Sequence, residues 1–528
     1  MFLIMSGAYV GQELESEFGK IPPSFLPLGN RRLFQHQISL IPEWADAYIS
    51  IPESYLPSII DIKWIESRGV EIIKTPDDLT LGASLIAALN ISGHSLDSSL
   101  HILYGDTLYK ELPFGDDIAS FSYARDSYNW GVLTDDDVNW LKDGQNKIAS
   151  ESPKIIDGYF KFSNPRELIK FITKSNWNFI EGLNLYHKKF CITPVESSSW
   201  FDFGHVNTYY RSKAEFTTQR AFNQLKITPQ WIEKSSSKND KIAAEANWFE
   251  NLPNNLRGNI PQYLGIKERD NTISYRLEYL YLTALNELFV FSKLPSHIWE
   301  RILLSCIDFL LACKEHIGGN EEITNSIDVL FNEKTADRLN EYCLANAISL
   351  DEKWCFNNSN GISLSDLIEL SNKHLPCNNE QDSILHGDFC FSNILYDFRS
   401  NKIKTIDPRG MTPNGEKTIY GDFRYDLAKL SHSILGLYDW IIAGYYEIEI
   451  NGSNIEFKIY DENQYKDIQQ LFIKSIEDSF GVTSRNLYAM QIQLFLSMLP
   501  LHSDNRERQM ALFANAFRLH EILVRLEQ

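Results

Sequence analysis

The stretch ILHGDFCFSNILYDFRSNKIKTIDPRG, residues 384–410, decides how the second half of the chain is interpreted. It places Asp388 on a loop five positions before Asn393, and a second carboxylate, Asp407, after the strand-like segment NKIKTI. Phosphoryl transfer needs a carboxylate near the acceptor hydroxyl and further oxygen ligands that hold Mg²⁺ against a triphosphate. The spacing therefore predicts a phosphoryl-transfer loop, and the alternative is a polar loop between two strands.

The motif H-G-D-x-x-x-x-N, followed by I-D and then YGDFRYDLAKL, resembles the aminoglycoside phosphotransferase and choline kinase group over roughly 213–528. The resemblance implies a two-lobed, protein-kinase-like α+β fold that uses ATP. It further implies that Asp388 is the catalytic aspartate, that Asn393 and Asp407 hold magnesium, and that Asp426 braces the catalytic loop.

The residues after the second aspartate depart from that group. Members of the group usually carry tryptophan, glutamate or a similar residue there, whereas this chain has Pro408-Arg409-Gly410. The variant resembles kinase-like proteins of capsule biosynthesis. We place Arg409 with the catalytic residues, where it either meets an anionic acceptor or forms a structural ion pair.

A kinase-like fold also needs a lysine on its small sheet and a glutamate on the next helix to hold it. WIEKSSS places Lys234 at the end of a strand-like run, and KIAAEANWF places Glu245 on the following helix. The alternative for this pair is a solvated surface ion pair. RLEYL, residues 276–280, resembles the hinge that binds adenine, with Glu278 at its centre.

The first half of the chain alternates short apolar strands with helices. MFLIM, AYISI, VEIIK, HILYG and GYFKF are typical of strands, and SIIDIKWIESRG, LGASLIAALN and NPRELIKFITKS are typical of helices. This alternation predicts a parallel or mixed sheet covered by helices, with ligands at the carboxyl ends of strands. After 295 the pattern becomes mostly helical.

Polar and small residues follow several of these strands. Ser6-Gly7-Ala8 comes directly after the first strand, in a turn where backbone amides can approach a nucleotide. Asp106 follows the strand HILYG, and Asp202 stands in WFDFGHVNTYY. Two carboxylates at strand ends can share one Mg²⁺ beside a triphosphate, although each alone is also typical of a turn.

Their order resembles the sugar nucleotidyltransferases, including the cytidylyltransferases that activate phosphocholine, over about 1–210. The resemblance implies a Rossmann-like domain with a mixed sheet. It assigns the metal to Asp106 and Asp202, and nucleotide contacts to the small-residue turn and to two further positions, Gly82 and Arg31.

Two basic residues of that group are missing here. No arginine follows the first turn in AYVGQELESEFGK, and Pro23 stands where the phosphate-binding lysine is expected. Lys20, Arg31 or Arg32 could supply the positive charge that a developing pyrophosphate requires. Without such a charge the domain would be a binding module.

Composition excludes several other classes of protein. The 528 residues carry a formal charge of −20 and 43% hydrophobic residues, which indicates a folded protein with little attraction to nucleic acid or anionic lipid. No apolar run reaches the length of a membrane helix. The seven cysteines form no C-x-x-C pair, so we expect free thiols and a cytoplasmic protein without a zinc ribbon.

Together these patterns predict three domains: a nucleotidyltransferase-like domain at 1–212, a kinase small lobe at 213–281 and a helical large lobe at 282–528. The predicted enzyme phosphorylates a hydroxylated metabolite with ATP and joins it to a nucleotide from a second NTP, such as CTP. Alternatives make the first half a non-catalytic binding module, or a glycosyltransferase that uses Asp106 or TDDD, residues 134–137. The sequence identifies neither the acceptor nor the oligomeric state.

Overall fold

The computed structural model describes residues 1–126, 128–136, 138–144, 152–197, 199–220, 225–269, 271–318, 327–359, 361–376, 380–460 and 465–528. These residues fold into two compact units. The first comprises Met1–Phe216 with Phe291–Lys293, and the second comprises Thr217–Val290 with Leu294–Gln528. The three-domain limits given above stay a prediction.

A mixed β-sheet forms the centre of the first unit. Its strands and those of a short ribbon are β1 (Phe2–Met5), β2 (Ala47–Pro52), β3 (Val70–Thr75), β4 (Leu100–Tyr104), β5 (Thr107–Tyr109), β6 (Ile118–Tyr123), β7 (Gly131–Leu133), β8 (Leu141–Asp143), β9 (Lys154–Phe162), β10 (Thr193–Glu196) and β11 (Trp200–Asp202). The sheet order is β10-β6-β9-β4-β1-β2-β3, with β4, β1, β2 and β3 parallel and β9 antiparallel to both its neighbours. The buried strands are rich in Ile, Leu and Phe because both faces are covered.

The helices of the first part of the chain are α1 (Gln12–Phe18), α2 (Leu33–Ile38), α3 (Ile59–Ser67), α4 (Leu81–Ile91), α5 (Pro165–Lys174), α6 (Phe179–Phe190) and α7 (Val206–Arg220), and α3 and α4 both pack against β3. Ser58 and Thr80 cap α3 and α4, since their side chains accept hydrogen bonds from the first-turn amides. Leu3, Leu85 and Phe160 belong to the core between helices and sheet.

The second unit contains several small sheets. Its strands are β12 (Leu225–Ile227), β13 (Trp231–Ser235), β14 (Tyr263–Arg269), β15 (Thr272–Glu278), β16 (Thr283–Ala284), β17 (Cys355–Phe356), β18 (Ser383–Ile384), β19 (Ile394–Asp397), β20 (Lys402–Thr405), β21 (Tyr420–Gly421), β22 (Tyr446–Asn451) and β23 (Asn454–Ile459). β12-β13-β15-β14 form one antiparallel sheet. The hairpin β19-β20 lies between the two proposed magnesium ligands, since Asn393 directly precedes β19 and Asp407 follows β20.

Its helices are α8 (Asn239–Asn251), α9 (Leu285–Phe291), α10 (Ser296–Lys314), α11 (Lys334–Asn346), α12 (Leu364–His374), α13 (Arg424–Ile434), α14 (Tyr438–Ile442), α15 (Lys466–Phe480), α16 (Ser484–Met498) and α17 (Arg506–Glu527). α8 packs on the four-stranded sheet, and the long helices form a separate helical lobe around α16, which is buried along most of its length.

The predicted α/β fold class is confirmed. The first unit has the strand order 3-2-1-4 of a Rossmann-like sheet, extended by antiparallel strands. The second unit combines a small antiparallel sheet with one helix and a larger helical lobe, as in protein kinases. The hairpin β22-β23 interrupts the helices after 295, because YEIEIN and NIEFKI alternate apolar and charged residues around a turn at Gly452.

In the part of the chain that the structure describes, no helix is both long and apolar enough to cross a lipid bilayer. The cysteines in that part carry free thiols, as predicted.

Candidate active sites

Two carboxylates meet in the first unit at the ribbon formed by β5 and β11. The ribbon pairs Asp202 with Thr107, and the Phe203 amide donates to the Asp106 carbonyl at 2.8 Å. The two carboxylates flank Gly204, where a Cβ would lie 2.5 Å from Asp106 Oδ2 and 3.3 Å from Asp202 Oδ1. The structure therefore brings together the two aspartates that the sequence assigned to a metal.

The surroundings of this pair disfavour two negative charges. Burial, and then the charge of Asp202, raise the pKa of Asp106 to about 6. Carboxylate oxygens are the ligands that Mg²⁺ prefers, and a divalent cation would relieve both effects. The donor set thus fits magnesium.

His205 lies beside the pair and was not predicted from the sequence. Its Nδ1 lies 3.4 Å from Asp202 Oδ2, and its ring stacks on Tyr128 with centroids 3.8 Å apart. Burial works to lower the pKa of His205, but the hydrogen bond and charge of Asp202 raise it overall. The position three residues after Asp202, in Asp-Phe-Gly-His, is the signal that could have identified it.

An open cleft of about 330 Å³ lies beside Asp202. Its walls include Trp130, Trp200, Arg125 and Arg211, and Arg211 is paired with Asp126 at 2.8 Å. The cleft provides room for a small ligand next to the aspartate pair.

The small-residue turn after β1 is tightly held. The Ser6 amide donates to Ser50 Oγ at 3.2 Å, and Ser6 Oγ accepts from the Ser24 amide at 3.0 Å. A Cβ on Gly7 would lie 2.7 Å from two hydroxyl oxygens, those of Ser84 and Thr75. Gly7 is thus needed for packing, while Ala8 is exposed at the end of the turn.

The remaining nucleotide-binding candidates of the first unit make local contacts with other residues. A Cβ on Gly82 would lie 2.2 Å from the Trp177 carbonyl oxygen, so this glycine lets α4 pack closely. Arg31 is exposed, whereas Arg32 is buried and pairs with Asp61 at 3.4 Å. Lys20 lies over the ring of Tyr9, 4.3 Å from its centroid.

The acidic run at 134–137 forms a local turn in its described residues. Asp136 Oδ1 accepts from the Val138 amide at 2.9 Å, and its Oδ2 accepts from Asn139 Nδ2 at 3.1 Å. Asp137 lies outside the described residues.

Asp106→Asn should stabilise the metal-free protein at pH 8. Because the pKa of Asp106 is higher in the folded chain than in the unfolded one, ionisation of this carboxyl disfavours folding above about pH 4, and fully so above about pH 6. A difference of about two pH units corresponds to about 3 kcal/mol, and roughly half of it should remain at pH 5. Scanning calorimetry at both pH values measures the difference.

Asp135→Asn, an exposed aspartate in the same unit, is the control and should leave the melting temperature unchanged. Magnesium should stabilise the wild-type protein and the control more than Asp106→Asn. An Asp106→Asn protein that melts no higher than wild type at pH 8 would contradict the charge repulsion described here.

In the second unit, Asp388 lies on a loop between β18 and β19. Its Oδ2 accepts from Asn393 Nδ2 at 2.9 Å, and its Oδ1 lies 2.9 Å from Lys429 Nζ. Burial works to raise the pKa of Asp388, but Lys429 holds it well below the usual range. The side chain is 40% exposed, so the ionised carboxylate can still reach a ligand.

Asn393 and Asp407 are neighbours through the backbone, since the Ile406 amide donates to the Asn393 carbonyl at 3.0 Å. Because Asn393 Nδ2 donates to Asp388, the Oδ1 of Asn393 faces away from Asp388. Asp407 has a left-handed φ of +56° and a side chain that is 46% exposed. One amide oxygen and one carboxylate fit the oxygen ligands that Mg²⁺ takes beside phosphates.

Lys234 links the small sheet to this site. Its Nζ lies 2.8 Å from Glu245 Oε2 on α8 and 3.0 Å from Asp407 Oδ1. Glu245 is buried and also accepts from the Tyr275 hydroxyl at 2.8 Å. The structure therefore joins the lysine, the helix glutamate and the second aspartate. Because Glu245 is buried, its contact with Lys234 is not the solvated surface ion pair considered as the alternative.

Asp426, on α13, holds the loop that carries Asp388. Its carboxylate accepts from the amides of His386 and Gly387 at 2.7 and 2.8 Å. Burial raises the pKa of Asp426 to about 7. Trp248 on α8 ties the same loop to the small lobe, since its Nε1 donates to the Leu385 carbonyl at 2.8 Å.

Arg409 lies close to the loop that carries Asp388. Its amide donates to the His386 carbonyl at 2.8 Å, and its Nη2 donates to the Tyr425 hydroxyl at 3.0 Å. A Cβ on Gly387 would lie 2.7 Å from Arg409 Cβ. Arg409 has no carboxylate within 4.0 Å among the described residues, so the structural ion pair considered for it is absent there.

Gly410→Ala should cost about 2–4 kcal/mol of stability. Gly410 has φ +65°, and a Cβ would lie 2.2 Å from the Ala244 carbonyl oxygen on α8. Gly415→Ala is a matched control, since Gly415 has φ +89° but no atom within 4 Å of a Cβ, and it should cost only about 1–2 kcal/mol. Urea unfolding of both variants measures the difference, and equal losses would contradict the close approach.

Glu278 lies at the end of β15, where its side chain is exposed. Its Oε2 accepts from the Gln262 amide at 3.3 Å, and its own amide donates to the Gln262 carbonyl at 2.9 Å. The carboxylate of Glu278 is thus bonded to Gln262, the residue directly before β14. A role for Glu278 in nucleotide binding stays a prediction.

Three further residues near Asp388 were not predicted from the sequence: Lys429, Tyr425 and Lys334. Tyr425 and Lys429 lie one helical turn apart on α13. They flank Asp426, which the sequence motif already placed at the loop that carries Asp388. Helical spacing in RYDLAKL is the signal for these two. Lys334 begins α11, 91 residues before Tyr425, and nothing near it in the sequence marks it.

No protein-family model matches the chain, and no curated protein matches its sequence. Solved structures resemble parts of it. A thermostable mutant of an aminoglycoside phosphotransferase has 15% identity and a TM-score of 0.35, covering 56% of this chain and 88% of that one. A Bacillus anthracis protein described as a glucose-1-phosphate thymidylyltransferase has 14% identity and a TM-score of 0.33, covering 40% and 94%.

The inositol-1-phosphate CTP transferase from T. maritima has 15% identity and a TM-score of 0.31, covering 41% of this chain and 95% of that one. Both groups named from the sequence motifs are therefore represented among the structural neighbours.

Proposed function

We propose that the chain is a bifunctional enzyme, with an ATP-dependent small-molecule kinase in the second unit and a nucleotidyltransferase in the first. The observation that carries the proposal is that each unit gathers its own set of oxygen ligands. Asp106 and Asp202 flank Gly204 in one unit, and Asp388, Asn393 and Asp407 adjoin in the other.

In the kinase, the acceptor hydroxyl oxygen forms a bond to the γ-phosphorus of ATP while the bond from that phosphorus to the β–γ bridging oxygen breaks. The hydroxyl proton passes to Asp388, and ADP leaves with the electron pair. Asp388 is ionised because Lys429 lowers its pKa, so it is suited to orient the hydroxyl and to take the proton late in the reaction.

The remaining residues of the kinase position the nucleotide. Asn393 and Asp407 would hold Mg²⁺, which when bound supplies positive charge against the phosphates. Lys234, held by Glu245, would meet the phosphates once a nucleotide competes for its contact with Asp407.

In the nucleotidyltransferase, a phosphate oxygen of the phosphorylated metabolite bonds to the α-phosphorus of an NTP. The bond to the α–β bridging oxygen breaks, and pyrophosphate leaves with the electron pair. Asp106 and Asp202 would hold Mg²⁺ here, and the cleft beside Asp202 would receive the metabolite.

The product would be an NDP-linked head group, with CTP and a CDP-linked product as our specific proposal, made in the cytoplasm for capsule or lipopolysaccharide biosynthesis. Joining both activities in one chain would raise the concentration of the phosphorylated intermediate near the second site.

A non-catalytic first unit is the second candidate. It is favoured by Arg32, which is buried against Asp61, and by Gly7, which is enclosed by two hydroxyl groups. Lys20 and Arg31 are then the remaining candidates for the missing positive charge, and no contact joins either of them to the aspartate pair among the described residues.

Phosphorus NMR on the protein with ATP, each NTP in turn and a pool of metabolites tests the proposal. We expect ADP and a phosphomonoester from the kinase, then pyrophosphate and a new diphosphate linkage with one NTP. A nucleoside diphosphate in place of pyrophosphate would indicate a glycosyltransferase, and a phosphomonoester alone would indicate a binding module.

A further inference from the structure

Basic side chains surround one buried tyrosine next to Asp388. The Tyr425 hydroxyl accepts from Arg409 Nη2 at 3.0 Å and from Lys334 Nζ at 3.3 Å. Lys429 lies one turn further along α13 and contacts Asp388. We call Lys334, Arg409, Tyr425 and Lys429 the Tyr425 cluster.

Positive charge exceeds negative charge in this cluster. Among the described residues, Asp388 is the carboxylate within 4.0 Å of a cluster cation, and it faces Lys429. Arg338, one turn after Lys334 on α11, adds another cation close enough to lower the pKa of Lys334. The carboxyl of Asp426 is nearby, but two backbone amides occupy it and burial raises its pKa to about 7.

The pKa values of Tyr425 and Lys334 reflect the same excess of positive charge. Burial works to raise the pKa of Tyr425, but Arg409, Lys429 and Lys334 lower it to about 7. Burial also lowers the pKa of Lys334. Even with Tyr425 ionised, the cations Lys334, Arg409 and Lys429 outnumber the anions Tyr425 and Asp388, so an anionic ligand would stabilise this arrangement.

The cluster and the proposed magnesium ligands meet Asp388 at different oxygens. Asn393 binds Oδ2, whereas Lys429 binds Oδ1. The Cβ of Arg409 lies beside Gly387, and its guanidinium group donates to the Tyr425 hydroxyl. The cluster thus approaches Asp388 at one carboxylate oxygen and Asn393 approaches it at the other, which in the proposed reaction assigns the acceptor to the first side and the nucleotide to the second.

We infer that the acceptor is a hydroxylated metabolite that also carries a carboxylate or phosphate group, which Lys334 and Arg409 bind. The inference rests on the proposed kinase and names its class of substrate. The reaction is unchanged: the hydroxyl oxygen bonds to the γ-phosphorus, its proton passes to Asp388, and ADP leaves. A guanidinium and an ammonium together suit an anion with two or more oxygens.

The test divides a bacterial metabolite pool by ion exchange into anionic, neutral and cationic fractions, and measures ADP formation from ATP with each. We expect ADP formation with the anionic fraction. Turnover confined to the neutral or cationic fraction would overturn the inference and leave the kinase standing. No turnover with any fraction would overturn the kinase itself, and the inference with it.

Variants show whether the cluster is responsible. Lys334→Gln and Arg409→Gln should each lower kcat/KM for the anionic fraction about 10- to 100-fold, mainly through KM. Arg409→Lys should recover part of this loss. Lys353→Gln, an exposed lysine paired with Asp366, is the control and should match wild type. Equal kcat/KM in both glutamine variants and wild type would overturn the inference.

Salt separates charge recognition from a structural role. For wild type, KM for the anionic acceptor should rise with ionic strength, and the rise should be smaller in Arg409→Gln. A salt response that is the same in both proteins would contradict direct binding. Treating the anionic fraction with alkaline phosphatase distinguishes the two ligand chemistries: loss of turnover indicates a phosphate ester, and retention indicates a carboxylate.

Discussion

Asp388→Asn should reduce phosphorylation of the acceptor by about a thousandfold in a protein that remains folded. Asparagine keeps the shape of the side chain but removes the charge that meets Lys429 and the oxygen that takes the acceptor proton. The amide would also place a donor near Asn393 Nδ2 or Lys429, where the carboxylate accepted both bonds. Initial rates of ADP formation with the metabolite pool measure the loss.

The matched control is Asp467→Asn, an exposed aspartate in the first turn of α15. It should retain full kinase activity. Circular dichroism and the melting temperature verify folding of both variants. Asp388→Asn should still transfer a nucleotide to a phosphorylated acceptor that is supplied to it. Loss of that second reaction in the folded variant would show that the two reactions share one site.

Asp106→Asn should have the reverse effect, with nucleotidyl transfer falling by about a thousandfold and phosphorylation unchanged. The variant removes one of two carboxylates that flank Gly204, and with it half of the proposed magnesium ligands in the first unit. Pyrophosphate release with each NTP and a phosphorylated acceptor measures the effect. The melting temperature of the variant, which we expect to be at or above that of wild type, shows that a loss of activity does not come from unfolding.

Asp135→Asn serves again as control and should release pyrophosphate at the wild-type rate. Wild-type pyrophosphate release by Asp106→Asn would remove this residue from the reaction. Absence of pyrophosphate release in the wild-type protein with every NTP would favour the binding-module candidate.

The sequence predicts the residues of both sites best where a motif has fixed spacing. Asp388, Asn393 and Asp407 stand on one loop and hairpin, so their proximity follows from the chain itself. Lys234 and Glu245 come together from a strand and a helix, and the order of a known fold was needed to pair them. Fold class was likewise accessible, because alternating strands and helices leave few arrangements.

Some contacts form only in the folded chain, and the sequence did not predict them. Gly82 and Gly7 resemble nucleotide-binding glycines, yet each is required by a close contact inside the unit. Arg32 offers a positive charge in the sequence, but the fold buries it against Asp61. Lys334 reaches Tyr425 from a helix about ninety residues away, and only the tertiary structure brings such residues together.

One measurement tests the two-site account most directly. Asp388→Asn and Asp106→Asn are each incubated with ATP, the second NTP and the unphosphorylated acceptor, first separately and then mixed in equal amounts, and the final nucleotide-linked product is followed by phosphorus NMR. The account predicts little product from either variant alone and restored product in the mixture, because the phosphorylated intermediate diffuses from one protein to the other. A mixture as inactive as its components would contradict it.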